Sequence, residues 1–461
     1  MKRSPNHRLR EAIRESGASY DALAHDVRVI AASAGNTALR TNRSAVAHWV
    51  AGAQPAEETA HYLVEALSRR LHRALTFEDM GLSSSAADLG GHPDLGLSLG
   101  PDPVETLGRM GRADIERRTF LTGSAYSVAA AALPLGVPQE YAARATAVEH
   151  GATAGAAEIA AVRDMTAMFT AIDERHGGQH GRGAVVHYLT TDVAALCRAR
   201  FRTERQHAEM LSAAASLAYL AGWKAYDAGE HGLAQRYYLQ AYALTQEAGD
   251  DAHAAFVLRI LAHHGMDNGR HEHVLGLAEA ALSRAKGGTD RATESLFVIC
   301  RARALANAGR PRQAVQEALR ARGMAADATP GDMAGWAAMW GAAPATVDSH
   351  TAKILQRLGD HSAAEKHHGE AAARYGDTAH QRIKALSIAA QGQMQCAQGH
   401  IDAACHTWHR ALDAMEGVRS ARTRKAVQAM RTDLARFRRR GARPAAELDE
   451  RARTWLRDTA H

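Results

Sequence analysis

The chain predicts an all-α fold, and three observations carry that prediction. Aromatic residues make up only 5% of its 461 positions while alanine, arginine and leucine dominate, so strand-forming material is scarce. Glycines at Gly229, Gly269, Gly309, Gly359 and Gly399 recur at intervals of 40, 40, 50 and 40 residues. Each is followed five residues later by alanine or valine inside an otherwise helical pattern. A period of that size, with no catalytic signature laid over it, reads as stacked helical hairpins whose shared surface binds something.

Residues 6–82 come first and read as four short helices over 9–16, 19–32, 43–50 and 57–74. Leu9, Ile13, Leu23, Ala24, Val27, Val46 and Trp49 fall at spacings that let three of them share one small core. Gly52 and Pro55 then close the third helix. The stretches SYDALAHDV and NRSAVAHWVAGAQP resemble the helix-turn-helix domain of bacterial repressors of the xenobiotic-response-element class. The segment between Val27 and Asn42 is longer than the usual tight turn, and the glycine expected after the second helix is displaced to Gly35. The resemblance implies that Asn42 caps a recognition helix and that Arg43, Ser44 and His48 enter the major groove. Arg43 would then bond guanine O6 and N7, while Tyr20 and Arg40 would hold phosphate. A bland alternative makes these helices a cap for the array.

Residues 83–112 carry SSSAADLGGHPDLGLSLGPDP, a Ser, Gly and Pro content that marks a flexible linker. Next comes Arg117-Arg118-Thr119-Phe120-Leu121 with an apolar run behind it, which looks like a twin-arginine export signal. Its position more than a hundred residues into the chain favours a linker or docking helix, with a true export signal only if translation began at Met110, and the run is too short to span a membrane. No membrane partner is expected.

From residue 113 helix follows helix, with short turns such as HGGQHGRG; residues 156–201 supply one degenerate hairpin. Around Gly229 stand Gly222, Ala234, Tyr238 and Ala241; the same offsets give Ala314 and Ala321, Ala364 and Ala371, then Ala404, Trp408 and Ala411, with Val274 in the weaker Gly269 unit. Small residues at these places let two helices of a hairpin approach closely while an aromatic fills the gap. The pattern resembles the tetratricopeptide repeat over about residues 205–415. That resemblance places the groove-lining face six and two residues before each glycine. Those positions hold Trp223 and Asp227, His263 and Asp267, Arg303 and Asn307, Lys353 and Arg357, then Gln393 and Ala397. Large polar side chains on a concave, solvent-facing stripe suit a peptide, small anionic ligand or protein partner.

The last segment, residues 416–461, is basic. Ten Lys/Arg against one acid fall in residues 419–443, with Val427, Met430, Leu434 and Phe437 at helical spacing, so the expectation is an amphipathic cap with an arginine-rich outer face. A second DNA-contacting or dimerising surface is compatible with capping. Residues 1–56 are also basic, eight Lys/Arg against four acids, and the remainder is net acidic, which points to a polyanionic partner at one end.

Other chemistries find little support. No GxxxxGK[ST] is present, no Ser/His/Asp or paired-carboxylate constellation can be named, and the chain is not expected to be an enzyme or to need a cofactor. His263, His264, His271, His273, His367 and His368 invite a metal reading, but no HExxH or Cys/His cluster completes one. Solvent-exposed histidines and no metal are expected. Cys197, Cys300, Cys396 and Cys405, without CxxC spacing, read as reduced thiols in a cytoplasm.

The combined architecture is similar to the peptide-responsive quorum-sensing regulators of Gram-positive bacteria, and the alanine and arginine richness suits an actinobacterial developmental or antibiotic-production regulator. It implies a cytoplasmic homodimer that binds double-stranded DNA and regulates transcription in response to a signalling ligand. The rival expectation is a protein-interaction scaffold whose N-terminal helices bind no DNA.

Overall fold

The computed structural model describes residues 4–33, 36–71, 75–77, 79–82, 95–116, 126–135, 153–328, 333–375 and 380–459. Among them the regular structure is helical, and one isolated bridge joins Thr153 and Arg200. The chain divides into two compact units. One holds residues 1–159, 183–226 and 230–250; the other holds residues 160–182, 227–229 and 251–461.

In the first unit, α1 (His7–Glu15), α2 (Tyr20–Ser33), α3 (Arg43–Val50) and α4 (Glu57–Leu71) form a small bundle. Leu9, Ile13, Leu23, Ala24, Val27, Val46 and Trp49 are all buried in its core, with Tyr62, Leu63 and Leu67 from α4. Asn6 ties the bundle's ends together: its amide donates to the Met80 and Gly81 carbonyls at 2.9 and 3.0 Å while its Oδ1 caps α1.

Residues 95–112 depart from the linker expected over 83–112. Asp102 caps a helix, α5 (Pro103–Ile115), by accepting from Glu105 N at 2.8 Å, and Val104, Leu107 and Met110 are buried along it. A proline at N1 behind an aspartate cap starts a helix, and this local signal prevails over the Gly/Pro content around it. Residues 83–94 and the twin-arginine segment 117–125 lie outside the described residues, as does Gly35.

Later helices are α6 (Ala156–His176), α7 (Arg182–Tyr188), α8 (Glu204–Asp227) and α9 (His231–Glu247). In the first unit Gly222 of α8 faces Tyr238 of α9; a Cβ on it would lie 2.7 Å from the ring. Arg236, Tyr237 and Gln240 of α9 bond to Leu95 O, Asp114 and the carbonyls of Gly96 and Ser98, which holds α5 and the strand of chain before it against this helix.

The second unit stacks α10 (Asp251–Asp267) with α11 (Val274–Ala285), α12 (Arg291–Asn307) with α13 (Pro311–Ala326), α14 (Ala343–Leu358) with α15 (His361–Arg374), and α16 (Gln381–Ala397) with α17 (Ile401–Ala414). All five repeat glycines adopt φ between 65° and 86°, the left-handed backbone that ends a helix and favours glycine. The alanines five residues on are buried: Ala314, Ala364 and Ala404 are each fully inaccessible. The final helices, α18 (Ala421–Arg438) and α19 (Arg443–Asp458), lay Val427, Met430, Leu434, Leu448 and Ala452 against Trp408, Ala411 and Leu412.

Candidate functional site

Two places gather the candidate site residues, one in each unit. The first is the outer edge of α3. Asn42 takes extended backbone and accepts from Ala45 N at 3.0 Å, so the start of the helix is capped. Val46 and Trp49 turn inward, which forces Arg43, Ser44 and His48 to the surface, and all three are exposed. Arg43 leaves 74% of its side chain accessible and lies 3.9 Å from Asp21 Oδ2, an open surface pair of small worth. Arg40 is exposed and donates to Thr37 O at 2.9 Å; Tyr20 is half-buried against the core. Thr41 is buried, and its carbonyl accepts from Arg28. The segment between α2 and α3 is thereby held by α2 itself. An exposed cation, hydroxyl and imidazole beside a capped helix start can meet phosphate and base edges.

The second gathering lies within the hairpins of the second unit. Four of the positions expected on the groove stripe meet there: Asp267 pairs with Arg303, has His263 Nε2 at 3.4 Å and has Lys353 Nζ at 4.0 Å. His350 stacks on His263 with ring centroids 5.2 Å apart. Burial alone would raise the Asp267 pKa, but Arg303 and Lys353 hold the carboxyl well below its ordinary range. Burial drives His263 and His350 well below the usual imidazole value, with Arg303 and Lys353 adding to it, so both rings are neutral. Burial lowers Lys353 to about 8, against the pull of Asp267.

Arg303 and His263 do not face solvent as the stripe expectation had it; they are 9% and 7% exposed. The reason is that α12 lies between α10 and α14, so a position pointing off one hairpin meets the next. Asn307 is half-buried and donates to Arg303 O at 3.1 Å, and Arg357 is exposed. Trp223 belongs to the first unit, half-buried among Tyr219 and Tyr226.

Asp227 is fully buried and serves another purpose. Its carboxylate accepts from Gly178 N and Ser420 Oγ, both at 2.8 Å, and lies 3.2 Å from Arg382 Nη1. Arg382, also fully buried, reaches Asp173 at 2.8 Å and Glu174 at 2.5 Å. Sequence reasoning missed this network, because Asp173, Glu174 and Arg382 carry no periodic mark. A lone arginine in an apolar-spaced helix such as α16 was the available signal.

The histidine expectation also needs correction. His263, His264, His367 and His368 are buried, and only His271 of the singled-out group is fully exposed, with His273 half-buried. Asp348, His367 and Glu370 point ligand atoms toward one another. Arg374 Nε, 2.7 Å from Asp348, and Arg322, 3.5 Å from Asp348 and 3.7 Å from Glu370, already balance those carboxylates, so a dication would meet two guanidiniums. The four cysteines are free and buried; burial pushes Cys197 up to about 12 and Cys405 up to about 11. Among the described residues no helix is long and apolar enough to cross a membrane.

The SP15 N-terminal domain family model matches residues 9–83, the stretch that holds α1 to α4. No curated protein matches the chain.

Proposed function

We propose that this chain is a sequence-specific DNA-binding transcriptional regulator whose helical hairpins form a tetratricopeptide-like domain that senses a peptide, small ligand or protein partner and pairs two copies. The observation that carries the reading is the edge of α3: Asn42 caps it, Val46 and Trp49 anchor it, and Arg43, Ser44 and His48 stand exposed on one side. In the helix-turn-helix arrangement this is the surface that enters the major groove. Arg43, free of any close partner stronger than a surface pair, reads guanine.

The sensing part rests on the Asp267 cluster. One internal carboxylate is gripped by Arg303 and Lys353, with Asn307 and the exposed Arg357 nearby on the same helix faces. A ligand carboxylate competes with Asp267 for these cations, and its differential affinity for the opened arrangement sets the response. Within the first unit, Glu65 of α4 accepts from Val128 N at 2.9 Å, and Ser127 exchanges two hydrogen bonds with Gln235 of α9, so α4 is tied to α9 through this segment.

Selection of duplexes from a random pool by the full chain tests the reading. Enrichment of a two-fold-related motif is expected; recovery of the unselected distribution removes the sequence-specific role.

A further inference from the structure

The outer face of α18 carries a stripe that the hairpin packing uses only at Arg436. Lys425, Gln428, Thr432, Arg436 and Arg439 are all exposed and recur every three or four residues, so they share one side of the helix. Arg438, Arg440 and Arg443 extend it through the turn into α19. The opposite side, Val427, Met430 and Leu434, is fully committed to the core.

The acids that approach this region from neighbouring elements are already engaged. Asp449 of α19 holds Arg431, Arg438 and Arg453, Glu447 holds Arg443, and Asp433 is bonded by Gln393 of α16. Arg436 donates to Cys396 O while its guanidinium lies over Phe437. Lys425, Arg439 and Arg440 make no side-chain hydrogen bond or ion pair with any described residue.

We propose that this stripe binds the phosphate backbone of double-stranded DNA without regard to sequence, as a contact in addition to the α3 edge; it thus builds on the reading of the chain as a DNA-binding protein. The side chains are those that grip phosphates: Lys, Arg, Thr and Gln donors with no acid among them. From Lys425 to Arg439 the helix rises roughly 21 Å, the reach of several consecutive phosphates on one strand. The composition also selects the partner. A membrane-lying helix needs apolar side chains beside the cations, and no large hydrophobic residue of α18 is exposed. Single-stranded nucleic acid needs open aromatic platforms; Phe437, the aromatic of α18, is half-buried beneath Arg436.

Anisotropy of the full chain with a random-sequence labelled duplex across a salt series tests the proposal. The triple variant Lys425→Ala, Arg439→Ala, Arg440→Ala should lower the slope of log Kobs against log salt by about 2.7, roughly 0.9 for each cation lost. Arg439→Lys with Arg440→Lys should keep the wild-type slope. An unchanged slope in the triple variant overturns the proposal, as does tighter binding to phosphatidylserine vesicles or single-stranded RNA than to duplex. The same comparison in an Arg43→Ala background separates the two claims. If Arg43→Ala leaves affinity for a selected site unchanged yet the triple variant still lowers the slope on random duplex, the α3 reading fails and this surface stands.

Discussion

The guanidinium of Arg303 on α12 pairs with the carboxylate of Asp267 on α10, 36 residues earlier, inside a packed stack of helices. Only 11% of the Arg303 side chain and 14% of the Asp267 side chain remain accessible. Arg303→Glu therefore sets two carboxylates together where water reaches poorly, and the expected loss is about 3–5 kcal/mol, as for other broken buried pairs. Urea unfolding followed by circular dichroism checks this. A midpoint equal to that of the native chain would show that the pair is not a structural contact.

Acid should begin to destabilise the fold at pH values above those at which ordinary carboxylates titrate. Burial, aided by Arg236, lowers His61 to about 3, and burial, aided by Lys353 and His367, lowers His368 to about 3. Between pH 6.5 and 3 the unfolded chain therefore binds protons that the folded chain refuses, and stability falls as pH drops through that window. His61→Gln and His368→Gln should flatten the decline measured by denaturant titrations at successive pH values. Lys353 acts in a different window: with its folded value at about 8 and its ordinary value at 10.5, stability should rise between those pH values in the native chain and not in Lys353→Met.

Glycines inside helices should divide by what faces them. A Cβ on Gly392 would lie 2.6 Å from the Trp408 ring, which is buried and donates to Ala389 O at 3.0 Å, so Gly392→Ala should cost roughly 1–3 kcal/mol. Gly323 on α13 has nothing within 4 Å, and Gly323→Ala should stabilise by up to about 1 kcal/mol through helix propensity alone. Thermal melts of the two variants should move in opposite directions; a shared direction would mean that the packing against Trp408 is wrong.

Much of the helical framework was legible because its determinants are local. The repeat glycines mark helix ends by backbone conformation, the alanines at fixed offsets mark close approach, and both sit where the spacing placed them. The α3 edge was legible for the same reason: Asn42, Val46 and Trp49 fix the helix start and its buried side within eight residues. The interior of the hairpin stack was not. An offset from a turn glycine gives the face a side chain leaves from but not the helix it meets, so Arg303 and His263 read as solvent-facing. Asp227 and Arg382 stand 155 positions apart and carry no pattern that could join them. The helix over Pro103–Ile115 was hidden by the Gly and Pro residues around it, although Asp102-Pro103 is itself a helix start.

The central claim is that α3 reads DNA, and it is tested most directly by the affinity of Arg43→Ala for a selected site and for random duplex at fixed salt. Loss of one bidentate contact should weaken the selected site by about 1–3 kcal/mol while random binding changes far less, and Arg40→Ala should weaken both alike. Equal losses on both duplexes for Arg43→Ala, or no loss on either, would contradict a base-reading role for this helix.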